Sequence, residues 1–293
     1  MKEVLSLHVM RTKKTFEELL LALGDSEGHG RAKAVTTLAA KKDERSLWAF
    51  IPLLQDSFFL VRREVAKALT DFQWQPSSER GKIAFLVAKE EWKDVVELGA
   101  KAVPYLVKLL GEKHEPTAKN IVRALQSIGE PAIHPLCRIA TSSDERASKR
   151  ALKLLVELKD ERAIPAFLVN LESARVSLRL VALRGLDKVV NHKCHEPLLG
   201  LLRQERETAV LRSLYGVLAH HSHIFEESLR GMLTNPKSQA ERYLNERCFK
   251  VFEAMGEEGR RHLQELSSTM FKERAEAGLA FIDRDMSDES LID

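Results

Sequence analysis

The chain has 293 residues, of which 44% are hydrophobic, 30% charged and only 6% aromatic, a profile of many small Leu, Ala and Val contacts that belongs to an all-helical protein. Its 46 basic and 43 acidic side chains leave +3, too little to make nucleic acid or an anionic membrane an obligatory partner. Three cysteines, Cys137, Cys194 and Cys248, form no framework and argue against an oxidising compartment, and no run of about eighteen apolar residues offers a membrane span.

The start, MKEVLSLHVMRTKK, places Glu3 inside its short apolar stretch, so no signal peptide is expected and the localisation is read as cytoplasmic. Residues 14–23 read as an atypical N-terminal helix that caps the repeats beyond it. From there the chain repeats itself. KDERSLWAFIPLLQDS (42–57) returns as KDERAIPAFLVNLESA (159–174), and LGAKAVPYL (98–106) returns as IGEPAIHPL (128–136) and, more faintly, as MGEEGRRHL (255–263).

Each period reads as a helical hairpin. A first helix such as LVRREVAKALTDF buries Val61, Val65, Ala68, Leu69 and Phe72 at helical spacing, and Gly or a charged turn stops it. A second helix returns with Pro in its first turn, at Pro104, Pro135, Pro165 and Pro197. Neither helix can bury its stripe alone, so hairpins must stack. The apolar residue three before the end of each first helix gives Leu38, Leu69, Val95, Leu125, Leu155, Leu186, Leu218 and Phe252, at steps of 31, 26, 30, 30, 31, 32 and 34.

The short step marks WQPSSERGKIAFLVAKEEWKDVVELG (74–99). Its residues 77–90 open with a Ser cap and predict a helix burying Ile83, Leu86 and Val87; EWKDVVEL predicts the next. The segment is expected to be an irregular repeat joined by a foreign linker, FQWQP (72–76), where Pro76 and an anchoring Trp74 bend the stack.

Val61, Arg62, Ala66, Ala68 and Leu69, followed by the pattern Gly129, Ala132, Ile133, Pro135 and Leu136, resemble the HEAT repeat, in particular the short HEAT-like repeats of the phycobilisome-lyase type. The resemblance covers residues 29–266. Later first helices depart from the Val-Arg pair, with Ala147-Ser148, Leu178-Arg179 and Val210-Leu211. It implies an all-α fold, a right-handed α-solenoid (α/α superhelix) of about eight hairpins over residues 1–270. Residues 271–293 are expected to form a charged, partly disordered extension, with Asp283, Asp285, Asp288, Glu289 and Asp293 against Arg284.

Four chemistries come into question. A HEAT-like hydroxylase family holds two irons on His-Glu pairs within first helices, but here His114-Glu115 precedes a first helix and His195-Glu196 opens a second one. The turns NHKCHE (191–196) and AHHSH (219–223) lie in adjacent repeats and could bring His192, Cys194 or His195 near His220, His221 or His223, ligand types that suit zinc, although the spacing matches no standard motif. A HEAT-like DNA glycosylase family binds nucleic acid on a basic concave face, and here second helices carry Lys108, Arg138, Arg203 and Arg230; Val169 and Gly200 break that ladder, and Trp48, Trp74 and Trp92 read as core or linker anchors. No site requires a bilin or any other cofactor, and no phosphate loop or nucleophile elbow is present.

The expected function is a non-enzymatic scaffold that binds a protein or peptide along its concave groove of second helices, where Lys108, Arg138, Arg203 and Arg230 would prefer an acidic ligand. A nucleic-acid binder and an accessory or lyase-type enzyme subunit are the alternatives. No membrane partner is expected.

Overall fold

The computed structural model describes residues 14–289, with side chains through Asp283. Every regular element among them is helical, and the chain forms two compact units that divide between Ile128 and Gly129.

The first unit contains α1 (Phe16–Ala22), α2 (Gly28–Ala40), α3 (Leu47–Leu53), α4 (Phe59–Asp71), α5 (Glu79–Lys89), α6 (Trp92–Glu97), α7 (Val103–Lys108) and α8 (Glu115–Ile128). Thr15 opens α1 with a capping box to Glu18, and the Ser78 hydroxyl accepts from the Gly81 amide at the start of α5, in keeping with the expected Ser cap. The second unit contains α9 (Ile133–Ala140), α10 (Glu145–Leu158), α11 (Ile164–Leu171), α12 (Val176–Val189), α13 (His195–Gln204), α14 (Thr208–His220), α15 (Ser222–Met232), α16 (Gln239–Ala254), α17 (Glu257–Leu266) and α18 (Lys272–Glu289).

Repetition is visible in the packing of each unit. In the second, α10, α12, α14, α16 and α18 pack in succession, and each of α9, α11, α13, α15 and α17 packs on the helix that comes after it. All eight periodic residues, Leu38, Leu69, Val95, Leu125, Leu155, Leu186, Leu218 and Phe252, are 0% exposed, so the period read from the sequence is the period of the core. The charged segment after residue 270 begins with α18, which packs on α16 and α17 and buries Ala275 and Ile282; residues 290–293 lie outside the described chain.

The turns explain the recurring motifs. Gly99, Gly129 and Gly256, the shared glycines of the second-helix pattern, all have positive φ, at 55°, 71° and 58°. Where the motif is KDER instead, Lys42 and Lys159 take the left-handed position at 52° and 51°, and the Asp43 and Asp160 carboxylates accept the Arg45 and Arg162 amides. Arg162 holds the Asp160 carboxyl down at about 2.

A second recurring device locks three of the hairpins to the chain that follows them. Arg31, Arg62 and Arg179 lie seven residues before Leu38, Leu69 and Leu186. Each donates through Nη1 to a carbonyl six residues back, at Asp25, Asp56 and Ser173. Each also reaches an acid further on: Arg31 to Asp56, Arg62 to Glu112 and Arg179 to Glu205. These acids in turn accept backbone amides of the loops that open the next first helix, Phe58, His114, and Arg206 with Glu207. Ser148, at the same position in α10, satisfies itself on the Ala140 carbonyl.

The irregular segment departs from this rule. Arg31 and Arg179 reach forward 25 and 26 residues, whereas Arg62 reaches 50. At the N-terminal ends, α4 therefore meets the start of α8 directly, with Phe59 stacked on His114 at 4.0 Å. Beyond that edge α5 packs on α4, α6 packs on both α5 and α8, and α4 scarcely touches α6. The two helices are thus wedged between neighbours that remain joined at one edge. Gln73 turns the linker with a φ of 52°, and Trp74 sets its ring edge-on to Phe85 at 5.4 Å.

Candidate functional site

Second helices bury one face and leave the other outward. In the first unit Lys108 stands exposed at the end of α7. In the second, α9 exposes His134 and Arg138, α11 exposes Pro165 and Val169, and α13 exposes Glu196, Pro197 and Arg203. Among the described residues neither Lys108 nor Arg138 has an ion-pair partner, while Arg203 faces Glu196 loosely at 3.9 Å.

Arg230 differs from the other three. It is half-buried and already committed: its guanidinium donates to Nδ1 of His262 and to the Glu265 carboxylate, with Glu226 at 3.8 Å. Burial pushes the His262 imidazole below its ordinary value, against Glu226, which pulls it up; the neutral ring takes the Arg230 protons on Nδ1. Arg230 thus joins α15 to α17 and carries a compensated charge.

Aromatic residues depart from expectation at one place. Trp74 and Trp92 are half-buried anchors of the wedge, but Trp48 is 66% exposed on α3, next to exposed Ile51 and Pro52. α3 buries Phe50 instead, because Phe50 and not Trp48 falls on the inward stripe of this short helix.

The histidine-bearing turns part company. His195 stacks on Phe225, with centroids 5.5 Å apart, and its Nε2 lies 3.0 Å from Ser228 Oγ while Glu196 Oε1 is 3.3 Å from its Nδ1. Nothing in the residue spacing points to this Ser-His-Glu chain. Ser228 sits inside α15, where its own backbone amide is spent on the helix, and the chain joins α13 to α15 as a polar stitch. Burial pushes the Cys194 thiol up, and the Cys248 thiol up to about 12, so neither is a ready nucleophile.

His220 and His221 converge on a residue outside both turns, Asp187 of α12. His220 Nδ1 donates to Asp187 Oδ1 at 2.9 Å, and His221 Nε2 lies 3.5 Å from the same oxygen and 3.1 Å from the Asp187 backbone carbonyl. His223 is further out, its ring centroid 6.4 Å from that of His221. Asp187 comes one residue after Leu186 and His220 two after Leu218, so the three groups stand near the ends of first helices in adjacent repeats.

No family model matches the chain, and no curated protein matches it. The solved structures it is similar to include two that are each described as the crystal structure of an engineered protein. One is 17% identical with a TM-score of 0.28, covering 91% of this chain and 98% of that one; the other is 18% identical with a TM-score of 0.27, covering 81% and 96%. No helix among the described residues is long and apolar enough to cross a membrane.

Proposed function

We propose that the chain is a right-handed α-solenoid of HEAT-like hairpins acting as a non-enzymatic, cytoplasmic scaffold, which binds a protein or peptide along the outward faces of its second helices. Trp48 carries the proposal. A Trp left two-thirds exposed beside Ile51 is the side chain that contributes most when a partner covers it. Lys108, Arg138 and Arg203 add exposed positive charge on the same class of helix, which favours an acidic segment flanking an apolar anchor. Arg230 is left out of the binding set, since its charge serves His262 and Glu265.

The test is capture from the native host, identification of the captured protein, and titration of its acidic segment as a synthetic peptide. Trp48→Ala should weaken that peptide by at least about tenfold, and joint reversal of Lys108, Arg138 and Arg203 to Glu should abolish capture. Both variants should melt within a few degrees of the parent, because all four side chains are exposed. Binding that survives both changes would refute the assignment.

A further inference from the structure

We infer that Asp187, His220 and His221 form a binding site for one divalent transition-metal ion, of which zinc is the probe of choice. Among the described residues this is a group whose ligating atoms, one carboxylate oxygen and two imidazole nitrogens, all lie within 4.8 Å of one another. A tetrahedral ion with bonds of about 2.0 to 2.1 Å separates its ligand atoms by roughly 3.4 Å. Two of the three separations already stand at 2.9 and 3.5 Å. The third closes by rotation of His220, whose side chain is 65% exposed and free to swing.

Local structure favours a cation at this point. Asp187 lies in the last turn of α12 and His220 is the last residue of α14, so two helix C-termini, each carrying partial negative charge on its final carbonyls, end beside the carboxylate. Lys188 holds the other oxygen, Oδ2, at 3.0 Å, which orients Oδ1 toward the two rings. The ion takes the place of the protons that His220 Nδ1 and His221 Nε2 now direct at Asp187. Two imidazoles and one carboxylate are the donor set of zinc and its neighbours in the first transition row, and poor company for calcium or magnesium. Three protein ligands on a solvent-facing turn leave a fourth position for water or for a donor from another molecule.

The site is independent of the scaffold proposal, since it shares no residue with the second-helix faces. It is tested on the full chain, purified without a polyhistidine tag, stripped with chelator and titrated with Zn²⁺ by calorimetry and with Co²⁺ by absorption. One ion per chain, a raised melting temperature and an intense cobalt visible band of a four-coordinate N/O site are expected. His220→Ala should weaken zinc by more than the roughly 10- to 100-fold that loss of an outer partner costs, and Asp187→Asn should do the same. His192→Ala and His223→Ala should leave the titration unchanged. Folding of each variant is read from its circular dichroism, and His220, being exposed, can be removed without loss of core. Less than half an ion per chain, or binding that survives His220→Ala with His221→Ala, would overturn the assignment.

Discussion

Residues 42–72 of the first unit and 159–189 of the second are the same piece of chain built twice. Each begins on a left-handed Lys, caps a short turn with Asp, buries Phe50 or Phe167 in the second helix, and ends on a first helix whose Arg grips a carbonyl six residues back. They part most plainly in the forward direction. Arg179 closes on Glu205 after 26 residues, and Arg62 closes on Glu112 after 50. The difference teaches where this fold tolerates length. Doubling a flexible loop costs only about 0.6 kcal/mol of closure entropy, so a lock that survives at one edge lets two extra helices grow at the other.

The two locks also differ in depth. The side chains of Arg62 and Glu112 are almost wholly enclosed, whereas those of Arg179 and Glu205 keep some solvent. Arg62→Ala takes the guanidinium from the enclosed Glu112 carboxylate, which keeps the His114 amide, and should cost about 3 kcal/mol in denaturant unfolding, while Arg179→Ala should cost about 2 kcal/mol, the range for a hydrogen bond to a charged group.

Acid weakens both locks in the same sense. Burial would raise the Glu112 carboxyl, but the His114 and Lys113 amides and the Arg62 guanidinium together hold it below its ordinary 4.5. Glu205 is lowered likewise by the Glu207 and Arg206 amides and by Arg179. A folded value below the unfolded one means that the stabilisation is complete above about pH 4.5 and drains away as pH falls through the lowered value. Glu112→Gln should therefore flatten the acid limb of the stability curve below about pH 5. An unchanged limb would show that the lock contributes nothing to it.

Much of this is legible in the sequence, for physical reasons that also mark where reading stops. Helix period shows in burial, so spacing alone places Val95 and its seven counterparts in the core. The Val-Arg pair is visible too, but the acid it grips is not, since the 50-residue reach of Arg62 depends on which helices the wedge keeps apart. Asp187 is inconspicuous because one acid in an amphipathic helix looks like a solvated face; its meaning lies in what the next repeat stacks beside it. Trp48 reads inward from its residue type, and the register of a seven-residue helix turns it out.

Trp74 belongs to the first region alone, and it sharpens the comparison at the linker. The ring is half-buried, its edge contact with Phe85 joins the linker to α5, and the Trp74 amide donates to the Leu69 carbonyl at 2.9 Å whatever the side chain is. Trp74→Ala should thus cost about 1–2 kcal/mol from lost area and the aromatic pair. The loss should appear as faster amide exchange in 79–97 with α2 and α3 unaffected, since only the wedge leans on this ring.

The smallest effect should be shared by both regions. Lys42 and Lys159 hold φ at 52° and 51°, where a Cβ costs roughly 1–2 kcal/mol, and glycine would remove that strain. Glycine also frees the unfolded chain, which takes back about 0.5–1 kcal/mol. Lys42→Gly and Lys159→Gly should therefore each stabilise by no more than about 1.5 kcal/mol, and by the same amount, because the Asp cap and the backbone angle are the same in both. Unequal responses would mean that the wedge downstream of Lys42 strains the turn that precedes it, and that the two regions differ before the forward reach of Arg62 as well as after it.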